Sequence, residues 1–284
     1  MKKGIALLGL LCLMLCGCAP QKTPAQVVAT TLPVYEFTAA LCHNTDITVS
    51  RLVTENVSCL HDYSLSVSQV RAVEGAQIIV LSGGGLEDFL GDFINGKSFI
   101  DSCEGISLLE CHHEHNHAHE EDAHIWLSPN HAKKMAENIY KGLCAQYPQQ
   151  QKIFAENLQS LLHKIEALQV YGTQQLSTLS SRELITFHDG FSYFAHAFDL
   201  TILKSIEEES GSEASAAELI DLITLAQEHG VKAVFTERNG SVSAADTVCA
   251  EIGASRYALD MAISGDSWFD AMYDNIDTVK EALG

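Results

Sequence analysis

Positive charge is what this chain has least of. Across 284 residues, 17 Lys and Arg stand against 37 Asp and Glu, a formal charge of −20. A body this acidic has nothing with which to neutralise a phosphate backbone, which excludes nucleic acid as a partner. Long apolar runs are missing too. After residues 5–16 no stretch approaches the ~20 apolar residues that a membrane-spanning helix needs, so no later membrane crossing is expected. The chain has no G-x-x-x-x-G-K-[ST] phosphate loop, so an ATP-driven step would belong to another protein. It has no C-x-x-C pair, which argues against a thiolate zinc site.

The first residues read as a targeting segment. Lys2 and Lys3 precede an apolar region, residues 5–16, that ends in Leu15-Cys16-Gly17-Cys18. It is too short to span a bilayer and resembles a bacterial lipobox, in which Cys18 is lipidated and becomes the new N-terminus. Residues 1–17 are then a signal peptide and residues 18–26 a lipidated cysteine with its tether. Loss of Lys2 and Lys3 takes the formal charge from −20 to −22. The expected product is an extracytoplasmic, monomeric body of about 260 residues on a lipid anchor, large enough for two medium lobes. Six further cysteines, Cys42, Cys59, Cys103, Cys111, Cys144 and Cys249, permit disulfides in an exported chain. Short closures of Cys103 with Cys111 and of Cys42 with Cys59 are the expectation; buried free thiols are the alternative.

The body alternates strand and helix patterns. In the first block strands are expected at 26–30, 47–53, 76–81 and 106–109, and helices at 33–42, 64–74, 86–94 and 129–147. An amphipathic run over 149–179 predicts a long connecting helix. The second block places strands at 184–187, 201–206, 232–236 and 255–259, and helices at 190–197, 214–229, 241–252 and 268–283. The fold class is therefore α/β: two β/α lobes (27–148 and 180–284), each with a roughly four-stranded parallel sheet, joined by one long rigid helix. A ligand site is expected in the cleft between them.

Histidine is abundant in one place. His112, His113, His115, His117 and His119 crowd a loop, 111–122, together with Glu114, Glu120, Glu121 and Asp122. Neutral imidazole suits zinc, copper and nickel, so the loop reads as a metal-catching tract; the alternative is a solvated polar loop. In open parallel sheets ligands bind beyond the carboxyl ends of strands. His188, Glu237 and Asp260 follow predicted strands directly, His61 lies in the loop after a strand, and His124 follows the His-rich loop in apolar surroundings. Four of these five could meet across the cleft, and three histidines (His61, His124, His188) with one carboxylate, Glu237 or Asp260, make a four-coordinate N/O set that suits Zn²⁺. Each carboxylate has a plain alternative as a helix cap. His43, His131, His163, His196 and His229 lie in or beside helix patterns and read as surface or hydrogen-bonded residues.

The segments around these residues resemble those of one family. His61-Asp62-Tyr63-Ser64-Leu65 is similar to a His-x-Tyr first-ligand segment, and Asp122-Ala123-His124-Ile125-Trp126-Leu127-Ser128-Pro129 to a D-P-H-x-W-x-D-P second one. Phe187-His188-Asp189-Gly190-Phe191 resembles the third and Leu259-Asp260 the fourth. Gly211-Ser212-Glu213, Phe235-Thr236-Glu237 and a closing helix with Tyr273 and Asn275 match further landmarks. The family is the metal-binding solute-binding proteins of bacterial zinc and manganese ABC importers, and the resemblance covers nearly all of the mature chain. It implies metal held in an interlobe cleft by His61, His124, His188 and Asp260. Glu237 and the loop histidines are possible auxiliary ligands. It also implies delivery to an ABC permease with its ATPase, and Zn²⁺ rather than Mn²⁺, since manganese members more often carry Glu where His188 stands. Ala123, Ser128 and Arg238 depart from the family pattern of Pro, Asp and Pro. A zinc hydrolase is the competing class, because His113-Glu114-His115-Asn116-His117 formally matches H-E-x-x-H. Its flanks lack the apolar stripe that motif needs, and four protein ligands would close the position a catalytic zinc keeps open. A metal buffer built on the loop alone is a third reading.

Overall fold

The structure, a computed structural model, describes residues 25–57, 60, 63–110, 121–206 and 214–284. The first lobe runs β1 (Val27–Ala29), α1 (Leu32–Leu41), β2 (Val49–Arg51), α2 (Val67–Gly75), β3 (Ile78–Leu81) and β4 (Phe99–Asp101). Its four strands pair in the order β2-β1-β3-β4, all parallel. The run Ile78-Ile79-Val80-Leu81 is buried along its whole length, as a strand covered on both faces requires. A capping box of Ser66 and Gln69 starts α2.

Two expectations fail in this lobe. The fourth parallel strand is Phe99–Asp101, not 106–109. It is three residues long with an exposed phenylalanine, too short to show a period. The end of the predicted segment instead forms β5 (Leu109–Glu110), paired antiparallel with β6 (Glu121–Asp122); this ribbon forms the stem of the His-rich segment, which lies outside the described residues. The expected helix at 86–94 is a 3₁₀ segment, Asp88–Ile94, broken at Gly91, whose φ of 47° and ψ of −128° suit glycine and no helix.

Next come α3 (Pro129–Gln146), with Pro129 in its first turn, and α4 (Gln151–Gln175). At 1.5 Å per residue α4 spans about 37 Å, and 3₁₀ turns flank it on both sides. It packs on α1 and α3 at one end and on the closing helix at the other. The second lobe follows as β7 (Glu183–Thr186), α5 (Ser192–Ala197), β8 (Thr201–Ser205), α6 (Ala216–His229), β9 (Ala233–Glu237), α7 (Ser243–Ile252), β10 (Ser255–Leu259) and α8 (Trp268–Leu283). Its strands are parallel in the order β10-β9-β7-β8. No helix among the described residues is long and apolar enough to cross a membrane.

One apolar core runs through both lobes. It joins Val27, Phe37 and Val80 of the first to Leu184, Phe235 and Trp268 of the second, with Phe154, Leu161, Ile165 and Leu168 of α4 between them. Smaller cores fill the outer faces, under α2 and under α6 and α7. Cys42 and Cys103 are buried free thiols, and Cys144 and Cys249 are free as well. The expected closures involve Cys59 and Cys111, which lie outside the described residues. Burial pushes the Cys42 thiol up to about 12 and that of Cys103 to about 11, so both are poor nucleophiles.

At the carboxyl ends of β1 and β3, where the strand order reverses, sits Glu87. Its Oε1 accepts from Thr30 Oγ1 and the Ser82 amide, both at 2.6 Å, and its Oε2 from the Gly83 amide at 3.0 Å. Burial nonetheless pushes its carboxyl from 4.5 up to about 7. The folded protein thus binds this proton more tightly than the unfolded chain does, and the stability it contributes is lost as pH rises from about 4.5 through 7. Relative to wild type, Glu87→Gln should therefore gain stability with rising pH. The difference approaches roughly 3 kcal/mol at pH 8, measured as the pH dependence of urea unfolding of both proteins. A difference that stays flat from pH 5 to 8 would contradict it.

Candidate metal centre

The second lobe supplies one imidazole at its own reversal of strand order. β7 and β9 are neighbours, with Thr186 opposite Phe235, and the Phe187 amide continues the ladder to Phe235 O at 2.8 Å. His188 follows, 3% exposed, and Glu237 ends β9 beside it. Glu237 Oε2 stands 3.7 Å from His188 Nδ1. Gly190 packs against this ring. A Cβ there would lie 2.5 Å from the Met261 methyl and 2.9 Å from His188 Cδ2, so a side chain would push one of them aside.

The first lobe supplies the other imidazole from the turn after β6. Asp122 Oδ1 accepts from the His124 amide at 2.9 Å and from His124 Nδ1 at 2.7 Å. That bond places the ring proton on Nδ1 and leaves the Nε2 lone pair to coordinate. The following Ile125-Trp126-Leu127 turn is fully buried, and the Trp126 ring lies 5.3 Å from that of His124. Ser128 caps α3 by accepting from the His131 amide at 3.4 Å, so the hydroxyl takes the place of the family's aspartate at this helix start.

The two rings meet across the lobes. The centroids of His124 and His188 are 5.5 Å apart and nearly perpendicular, at 88°. Each has a carboxylate on its Nδ1 side, Asp122 for one and Glu237 for the other. Glu237, expected as an auxiliary ligand, thus stands where it can orient His188. Asp260 ends the loop entry after β10, with its backbone paired to Asn275 at 2.7 Å in both directions. Its Oδ1 accepts from the Ala262 amide at 2.8 Å, and its Oδ2 lies 3.4 Å from Arg238 Nη1. Among the described residues no three His, Cys, Asp or Glu side chains are grouped to hold a metal, so Asp260 does not join the imidazole pair in this arrangement. His61, all five loop histidines and Cys18 lie outside the described residues.

Two features were not legible beforehand. Asp122 reads in sequence as one more acid of the His-rich loop, although a carboxylate two residues before a ligand histidine is a usable signal for an orienting partner. The Arg238 contact with Asp260 has no local signature at all.

Comparison with known proteins agrees with this fold. The family model described as ZnuA, zinc-uptake complex component A, periplasmic, matches residues 27–282. The high-affinity zinc uptake system protein ZnuA of Bacillus subtilis (strain 168) is 27% identical over 279 residues, covering 90% of this chain and 87% of that protein. The zinc-binding lipoprotein AdcA of Streptococcus pneumoniae serotype 4 is 29% identical over 307 residues, 99% of this chain and 61% of AdcA. Among solved structures, a crystal structure of ZnuA superposes with a TM-score of 0.80 at 29% identity, covering 92% of this chain and 100% of that one. The Zn(II)-bound ZnuA-like domain of S. pneumoniae AdcA does so with a TM-score of 0.76 at 26% identity, covering 91% and 98%. A match over nearly all of the described chain, with the same two-lobed fold, places this protein in the ZnuA family.

Proposed function

We propose that this protein is an extracytoplasmic receptor that captures Zn²⁺ between its lobes and delivers it to an ABC permease driven by a separate ATPase. The observation that carries the reading is the His124–His188 pair. These are two buried imidazoles, one from each lobe, 5.5 Å apart and each backed by a carboxylate. A metal bridging them needs further donors. His61 and Asp260 are the proposed ones, with Asp260 turning from Arg238 to the metal. Three imidazoles and one carboxylate suit Zn²⁺, and the zinc names of the relatives support that choice over Mn²⁺. With four protein ligands no position stays open for a reacting water, which favours a binding protein over a hydrolase. Glu237 is assigned to orienting His188. His112, His113, His115, His117 and His119 are proposed to raise the local metal concentration, and lipid at Cys18 to hold the body at the membrane.

The test is stoichiometry. The mature chain, stripped of metal and titrated with Zn²⁺, should show one tight site plus weaker ones, and His188→Ala should abolish the tight site alone. Several weak sites unaffected by His188→Ala would leave only the loop binding metal and remove the receptor reading.

An imidazole must be deprotonated to coordinate. Affinity should accordingly be flat at pH 7.5–8 and fall as pH drops through ~6.5, the ordinary range of histidine. With several imidazoles releasing protons the fall should exceed tenfold per pH unit at low pH. Competition with a chelator of known pH behaviour measures this, and constant affinity from pH 8 to 5 would contradict imidazole ligation.

A further inference from the structure

Tyr193 connects the two halves of the imidazole pair by a route the family reading does not use. It lies in α5, five residues after His188, and is 2% exposed. Its hydroxyl accepts from the Leu109 amide at 2.8 Å and donates to Asp122 O at 2.8 Å. Leu109 and Asp122 are direct partners in the β5–β6 ribbon, so one hydroxyl from the second lobe binds both strands of the first lobe's ribbon. The ring stands edge-on to His131, with centroids 5.2 Å apart, in the helix turn that follows His124.

The ribbon needs such an anchor. Among the described residues two residue pairs form it, and a two-stranded ribbon is marginal by itself. Asp122 is also the residue that fixes His124, through both the amide and Nδ1. The path from the helix behind His188 to the ring of His124 is then short: Tyr193 hydroxyl, Asp122 backbone, Asp122 carboxylate, His124 Nδ1. Its two non-covalent steps are buried hydrogen bonds, at 2.8 Å to Asp122 O and 2.7 Å between Asp122 Oδ1 and His124 Nδ1, joined through Asp122 itself.

We infer that Tyr193 is a positioning residue for the metal site: its hydroxyl registers the Asp122–His124 segment against the helix that follows His188, and so sets how tightly and how long the metal is held. This rests on His124 and His188 being ligands. Tyr193→Phe keeps the ring and its packing on His131 and deletes the hydroxyl's hydrogen bonds to Leu109 and Asp122. The metal-free thermal midpoint should change little. Zn²⁺ should dissociate about tenfold faster, and the visible absorption of the Co²⁺-loaded protein should shift, because the ligand geometry has changed. Leu109 should exchange its amide hydrogen faster. Wild-type dissociation rate and Co²⁺ spectrum in the variant would overturn the inference. A second measurement needs no variant. What strengthens metal binding is strengthened by metal, so one equivalent of Zn²⁺ should slow Leu109 amide exchange in the unaltered protein, and no change there would also overturn it. Failure of the receptor reading is separable, since it would show as a wild-type protein with no tight site for His188→Ala to remove.

Discussion

Trp126 is wholly buried where the two lobes meet, and its indole N–H donates to Met261 O at 2.7 Å while its own carbonyl accepts from the Trp268 indole at 3.1 Å. An indole of this size removed from water contributes roughly 4–6 kcal/mol, and each indole N–H has found the partner it needs inside. Its position matters more than its size. Trp126 lies two residues after His124. Met261 follows Asp260, and its methyl packs against Gly190 beside His188. One buried side chain thereby ties together three of the four segments proposed to reach the metal.

Other contacts reinforce the same joint. The loop after β10 reaches into the first lobe: Ile263 O accepts from the Leu32 amide at 3.1 Å, Gly265 O from Arg51 at 2.6 Å, and Ser264 donates to Val57 O at 3.1 Å. Glu36 of α1 caps α8, accepting from the Trp268 amide at 2.6 Å and from Ser267 at 3.2 Å. Burial raises the Glu36 carboxyl, while the capping bonds pull it down. Because the core is continuous from β1 to α8, a wide hinge opening would expose much of it to water. On the proposed reading, metal would enter and leave through loops and side chains, such as Asp260 exchanging Arg238 for a metal, rather than by separation of the lobes. That is the setting in which one hydroxyl, that of Tyr193, can control the spacing of two imidazoles.

Much of this arrangement was legible in the residues. Helical periodicity located α3, α4 and α8, because their apolar faces are long enough to show a period, and short apolar or β-branched runs between helix patterns located the four strands of the second lobe. The rule that ligands sit beyond strand ends pointed to His188, and the abrupt change from His and Glu to His124-Ile125-Trp126-Leu127 pointed to His124, the two rings that the structure brings to 5.5 Å of each other. What failed had a physical cause. β4 is three residues long and offers one buried side chain, Ile100; its place in the sheet is decided by pairing with β3, which no local pattern records. Gly91 breaks a run that composition alone makes helical. Asp122, Tyr193 and Arg238 act through contacts with residues distant in sequence or through a carboxylate hidden among other acids.

The central claim is that metal sits between the lobes on His124 and His188. Anomalous scattering at the zinc edge from crystals of the Zn²⁺-loaded mature chain tests it most directly. The account predicts a full-occupancy peak within about 2.0–2.1 Å of an imidazole nitrogen of each histidine, with the Asp122 bond to His124 Nδ1 retained. A peak confined to the histidines of the 111–122 segment, with His124 and His188 unligated, would contradict it.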